Sequence, residues 1–388
     1  MFLCIDYAKM NSKTISIYVH FPWCEVKCPY CDFNSYVLKH KKIDADDYVD
    51  RLIVELKKRK GFFAHDKIKS VFIGGGTPSL MSSGQINRLL DAIVQSYEPV
   101  ENFEVTIEMN PESVSNDLLQ GLKSTLVNRI SMGVQSFNDQ HLKVLGRIHN
   151  THKAKHSLDL ICNYYDNVNI DIMYGLPNQS VNQAIDDIET ALYYPIKHFS
   201  WYQLTIEPQT AYYKNNPKGL PDDAQIIMIE EAGRSLISNN GFERYEISAY
   251  AKNNALCQHN LNYWLFGDYL GLGAGAHSKI TDQNKFLRSW NHKKPETYMD
   301  YDFRGWEPIA NHELSFEYFL NRMRLKSPIS QKEYEQATNL DCSQILAKMS
   351  LLKQKGLIND IAAGWEMTRL GHNFYNDVVS TFIEEVRK

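Results

Sequence analysis

Short β-branched apolar runs alternate with longer stretches of three/four hydrophobic spacing from Ser16 to about Ser278, which is the rhythm of parallel βα units. The runs predict strands over residues 15–20, 70–73, 103–108, 129–134, 167–173 and 198–204. Helical periodicity fills the gaps, over 46–60, 85–97, 151–164, 181–192 and 222–240. In the helix over 85–97, Ile86, Leu89, Leu90, Ile93 and Val94 recur on one face behind a cap at Ser82 or Ser83. After Pro295 the alternation stops, and helices are predicted over 316–325, 331–338, 342–355 and 371–387, with a hairpin around Ala363 and Gly364. The chain therefore divides into a larger α/β part, residues 1–290, and a smaller, mostly helical part, residues 291–388. Six βα units are too few for a closed eight-stranded barrel, which leaves a partial barrel or an open twisted sheet.

In barrels of parallel strands the reactive groups sit at the carboxyl ends. Here each predicted strand ends in chemically useful residues. The first leads into Cys24, Cys28 and Cys31, and the second into Gly74-Gly75-Gly76-Thr77-Pro78-Ser79. The third ends at Glu108 before Asn110-Pro111, the fourth at Gly133-Val134-Gln135-Ser136, the fifth carries Asp171, and the sixth carries Gln203 and Thr205. Three thiolates on one compact loop suit a cubane [4Fe-4S] cluster, each sulfur taking its own iron and the fourth iron left open for another ligand. The competing reading is structural zinc, which wants four closed ligands, and His20 is the nearby fourth candidate.

Composition adds limits. At 388 residues, 43% hydrophobic and 23% charged, the chain has ordinary globular content. No apolar stretch approaches the ~20 residues a bilayer span requires. The N-terminal thirteen residues lack the regions of a signal peptide, so a cytoplasmic protein is expected. Seven cysteines, three of them clustered, agree with a reducing compartment. The net charge of −4, and seven Lys/Arg against eight Asp/Glu over 330–388, argue against a nucleic-acid partner.

The cysteine spacing, with Tyr30 just before the third cysteine, resembles the radical S-adenosylmethionine (SAM) superfamily. The resemblance implies a partial (β/α)6 barrel with a smaller C-terminal winged-helix-like domain. It also implies that SAM chelates the open iron and is cleaved by one electron from the cluster. Carried onto this chain, Gly75, Gly76 and Thr77 would meet the methionine amino group, where missing β-carbons allow close approach. Glu108, Gln135 and Asp171 would make polar contacts with SAM, Arg147 would face its carboxylate, and Tyr18 and Tyr30 would flank it.

The stretches YVHFPWC, CPYCDF, FIGGGTPS, RISMGVQSF and NIDIMYGLP resemble, more narrowly, the oxygen-independent coproporphyrinogen III oxidase group. The oxidases proper carry a further cysteine two residues after the third, where this chain has Phe33. The segment from His259 to Trp264 matches the HNxxYW motif of the group's other branch, the HemW-type heme chaperones. That branch implies heme as a further ligand and His259 as a heme contact. It also implies a small electron-donor protein and a heme-acceptor protein as partners, with membrane association only through the acceptor. The alternative implied is oxidative decarboxylation of coproporphyrinogen III, so whether the chain is an enzyme stays open at this point.

Overall fold

The computed structural model describes residues 14–38, 44–362 and 364–383. The N-terminal thirteen residues, the expected turn residue Ala363 and the last part of the helix expected over 371–387 lie outside them.

The six expected strands form as Thr14–Phe21 (β1), Lys67–Gly75 (β2), Glu98–Met109 (β3), Arg129–Gln135 (β4), Val168–Tyr174 (β5) and His198–Gln203 (β6). They lie side by side in chain order, all parallel, within a twelve-stranded sheet. The pattern did not predict a seventh parallel strand, Tyr269–Leu272 (β7), which pairs outside β1. It is short and followed by Gly273 and Gly275, so it carries little strand signal and depends on its neighbour for hydrogen bonds. Antiparallel strands extend both edges, His277–Asp282 and Lys285–Trp290 beyond β7, and Ala249–Ala251 beside β6. Among the described residues the two edges of the sheet do not pair with each other, so the barrel is partial.

Strand alternation explains what the barrel encloses. Ile15, Ile17, Val19 and Phe21 of β1 belong to the main apolar core together with Tyr48, Leu52 and Leu56 of the helix Ala45–Lys60. The helix Ser83–Ser96 adds Ile86, Leu89, Leu90 and Ile93, behind a capping box made by Ser82 and Gln85. The alternate strand positions face inward and are largely polar, an unusual lining for parallel strands, which are commonly apolar on both faces. Each inward group therefore finds a partner. Ser70 donates to Ser16 at 2.8 Å, and His198 sits between Asn169 (2.6 Å) and the Tyr245 hydroxyl (2.8 Å).

A short helix, Gln258–Trp264, closes the base of the barrel at the amino ends of the strands. Glu104 of β3 accepts from its first two backbone N–H groups, Gln258 at 3.0 Å and His259 at 3.1 Å. A carboxylate at this end complements the helix dipole.

The C-terminal part follows the order expected of a winged-helix fold. Helices Asn311–Arg322, Gln331–Thr338 and Leu346–Gln354 precede a hairpin, Ile358–Ile361 and Gly364–Met367, which the short strand Ile329–Ser330 joins. Its core holds Tyr318, Phe319, Tyr334 and Trp365, and draws in Phe266 and Phe286 from the preceding part. The helix expected over 371–387 is instead two short ones, Arg369–Asn373 and Tyr375–Ser380, separated at Phe374, whose ψ of 40° leaves the helical range. Gly371 packs so closely on Leu357 that a β-carbon there would lie 2.0 Å from the Leu357 carbonyl oxygen. No helix among the described residues is long and apolar enough to cross a membrane.

Candidate functional site

A cavity of about 360 Å³ opens at the carboxyl ends of β1 to β6, and eleven of the expected residues line it. They are Cys24, Cys28, Tyr30 and Cys31 from the loop after β1, Gly75 at the end of β2 with Gly76 and Thr77 beyond it, and Glu108, Gln135, Arg147 and Asp171. Tyr18 and His259 do not line it.

The cysteine loop leaves β1 and returns alongside it. Trp23 and Cys24 pair in parallel with Tyr36 and Val37. The Lys27 ammonium donates to the carbonyls of Phe33 and Ser35, both at 3.1 Å, and so pins the turn that carries Cys28 and Cys31. Burial pushes the Cys24 thiol up to about 11 and raises Cys31 as well, so taking up iron here releases protons. No three His, Cys, Asp or Glu side chains among the described residues converge tightly enough to hold a single metal ion. His20, the fourth ligand a zinc site would need, is engaged elsewhere. Its Nδ1 meets the Tyr18 hydroxyl at 2.9 Å and its Nε2 the Asn34 carbonyl at 3.0 Å. A trio of spread thiolates with no fourth protein ligand fits a cubane cluster better than a closed tetrahedral site.

The glycines after β2 are there because nothing larger fits. A β-carbon on Gly76 would lie 2.3 Å from the Trp23 carbonyl oxygen, and Gly75 adopts a φ of 123°. The Gly75 N–H donates to Glu108 Oε2 at 3.1 Å. Burial, with Asp171 adding repulsion, raises the Glu108 carboxyl to about 7. Burial also raises Asp171, although Asn169 at 2.8 Å and Ser131 at 3.2 Å donate to it.

Gln135 shows local strain. Its φ is 73°, and the β4–β5 register breaks between Gly133 and Gln135. A bulge of this kind re-aims a side chain at the end of a strand, and Gln135 lines the cavity with its Oε1 held by the Tyr202 hydroxyl at 2.7 Å.

Arg147 is tethered but not neutralised. Its Nη2 donates to the Gly133 carbonyl (2.7 Å) and to Asn110 Oδ1 (2.8 Å), and its buried Nε has no partner among the described residues. No carboxylate lies within ion-pair distance of it among the described residues. A largely enclosed cation without a protein anion suits an anionic ligand group.

Two groups in this site were given no role from the sequence. Asn110 bridges Arg147 and the Thr77 hydroxyl, to which its Nδ2 donates at 2.7 Å. Its place straight after a strand was the available signal. Tyr202 could have been found from the alternation of β6, which puts it on the same face as His198 and Ser200.

The remaining two expected residues lie deeper in the barrel. Tyr18 stacks near Phe72 at 6.3 Å between ring centroids. His259 is 1% exposed, with Nδ1 on Ser70 Oγ and Nε2 on the Tyr263 hydroxyl, each at 2.9 Å. Both its nitrogens are occupied, so contact with heme iron would require Nε2 to leave Tyr263.

Comparison with known proteins agrees with this geometry. The family model for the radical SAM superfamily matches residues 18–191, and that for the HemN C-terminal domain matches 309–374. Heme chaperone HemW of Haemophilus influenzae is 40% identical over 378 residues, covering 96% of this chain and 98% of the relative. The HemW proteins of Escherichia coli and Bacillus subtilis are 39% and 31% identical, each over 96% of this chain and at least 98% of their own. The crystallised coproporphyrinogen III oxidase HemN of Escherichia coli superposes with a TM-score of 0.82 at 22% identity, over 96% of this chain and 90% of that one, and shares its fold. With three thiolates at the mouth of a six-stranded partial barrel and full-length kinship on either side of them, the chain belongs to the HemW heme-chaperone family of radical SAM proteins, which use a [4Fe-4S] cluster and SAM.

Proposed function

We propose that this protein takes up heme and delivers it to an acceptor protein, while the cavity at the carboxyl ends of the strands holds the cluster and SAM. The observation that carries the reading is the relation, from end to end, to proteins named heme chaperones at 31% to 40% identity. In this reading Cys24, Cys28 and Cys31 hold three irons. Gly75, Gly76 and Thr77 present backbone and hydroxyl groups to the amino end of SAM, and Arg147 takes its carboxylate. Glu108, Gln135 and Asp171 offer acceptors inside the barrel, and Tyr30 covers the loop side. When bound, the reduced cluster supplies one electron to SAM; the surrounding residues orient the ligand and keep water out.

The partners in this reading are a small electron-donor protein and a cytoplasmic or membrane-attached heme acceptor. A second reading, decarboxylation of coproporphyrinogen III, has the shared fold behind it, but the cavity wall carries Phe33 where the oxidases have a cysteine. Anaerobic titration of hemin into cluster-reconstituted protein, followed by Soret absorption, tests the choice. Saturation at one heme per chain is expected. Protoporphyrinogen formation from coproporphyrinogen with SAM and reductant, without saturable heme uptake, would reverse it.

A further inference from the structure

A second and larger cavity, of about 670 Å³, lies at the opposite end of the barrel from the cysteines. Its size falls in the usual range for small-molecule sites, about 300 to 1,000 Å³. Lys69 and Asn102, near the amino ends of β2 and β3, form one wall. Leu265 and Phe266, just beyond the base helix, form a second, and Phe286 and Gln336 bring in the outer hairpin and the C-terminal domain. The HNxxYW segment thus has a structural place that needs no ligation by His259. Its helix separates this cavity from the barrel interior and gives Asn262 to the wall.

The lining is amphipathic with one uncommitted cation. Phe266 and Phe286 are 6% and 5% exposed. Lys69 has no hydrogen-bonded or ion-paired partner among the described residues, and burial lowers its pKa against the pull of Glu104. Of the two acids on the wall, Asp268 is already committed to Lys279 at 3.1 Å and to His65, while Asp282 sits on the outer hairpin. His65 is also part of the wall. Its Nε2 meets Asp268 Oδ2 at 3.0 Å and its Nδ1 has no partner among the described residues. That nitrogen is shut off from water here, so ligation requires the ring to turn toward the cavity and to give up Asp268.

We propose that this base cavity is the heme seat, with apolar walls on the porphyrin plane, Lys69 on a propionate and His65 turned onto the iron. The proposal rests on the heme-carrier reading and adds the place and the residues.

The test uses the full chain with its cluster reconstituted, hemin as probe, and three variants. Lys69→Glu should weaken hemin binding about tenfold or more, the scale of one lost charge-assisted contact turned repulsive. Ala64→Trp, at an exposed wall position, should weaken it comparably by filling space. His65→Ala should move the Soret maximum. In all three the iron–sulfur absorption and SAM binding at the other end should match the parent. Hemin affinity within about twofold of the parent in both Lys69→Glu and Ala64→Trp would overturn the base cavity while leaving the carrier reading intact. A parent protein that takes up no stoichiometric hemin would overturn both.

Discussion

The Arg147 Nη1 lies 3.7 Å from the Cys28 sulfur, on the far side of a guanidinium whose Nη2 is bound to Gly133 and Asn110. One side chain thus ties the cysteine loop to the ends of β3 and β4, and presents a positive charge where the open iron's ligand must sit. Arg147→Ala is expected to weaken SAM binding by about 30-fold or more, since losing one partner of an enclosed charge pair costs about 2 kcal/mol at least. Cluster iron should stay at the parent level. Calorimetric SAM titration of reconstituted protein checks this, and an unchanged dissociation constant would remove Arg147 from the SAM site.

Cys28→Ala should abolish the cluster, because two thiolates cannot hold a cubane whose fourth iron is already without a protein ligand. Cys28 lies on a half-buried loop outside the main core, so far-UV circular dichroism should match the parent. Iron and sulfide analysis after reconstitution decides it; a full complement of iron would mean that another residue supplies the ligand.

Gly76→Ala and Gly84→Ala should behave oppositely. The first forces a β-carbon against the Trp23 carbonyl, so it should cost about 1 to 3 kcal/mol and impair cluster assembly by displacing the loop beside Cys24. The second sits in the first turn of the helix Ser83–Ser96, where the new β-carbon meets only Ser82 Oγ at 3.9 Å. It should gain about 0.5 kcal/mol by restricting the unfolded chain. Denaturant unfolding of both variants reads the difference, and equal effects would contradict the close approach at Gly76.

Burial holds the His259 imidazole down to about 3, with Arg129 and Lys69 adding to the effect. The unfolded chain binds this proton near pH 6.5 and the folded chain does not. Its contribution is therefore complete above pH 6.5 and lost progressively as pH falls toward 3. His259→Gln should be less stable at pH 7 because a buried hydrogen-bond pair is disturbed. Between pH 7 and 5 it should lose about 2 kcal/mol less than the parent, one proton's worth of slope. Urea unfolding at several pH values measures this, and parallel curves for the two proteins would show that His259 is not neutral and enclosed.

Much of the site could be read in the chain because it is local or tied to strand ends. Cys24, Cys28 and Cys31 fall on one loop, Gly75, Glu108 and Gln135 sit at the ends of their strands and Asp171 within the next one, where the parallel arrangement gathers them whatever the details of packing. The spacing of Ile86, Leu89, Leu90 and Ile93 likewise shows which face of a helix is buried. Tyr202 and Asn110 were less visible, since each matters through a partner far along the chain, Gln135 in one case and Arg147 in the other. The strand Tyr269–Leu272 was invisible because its hydrogen bonds belong to β1 and not to its own sequence.

What the sequence by itself determined is therefore the order of strands and helices, the thiolate loop, and the set of groups delivered to one rim, because hydrophobic period and strand direction are local properties. What only the tertiary structure decided is where the remaining chemistry goes. It placed His259 under the barrel with both nitrogens occupied, left Arg147 without a carboxylate partner among the described residues, and opened a cavity against the C-terminal domain around Lys69 and His65. Those outcomes depend on which distant groups meet and which polar atoms are left unpaired once water is excluded, and no stretch of sequence carries that information alone.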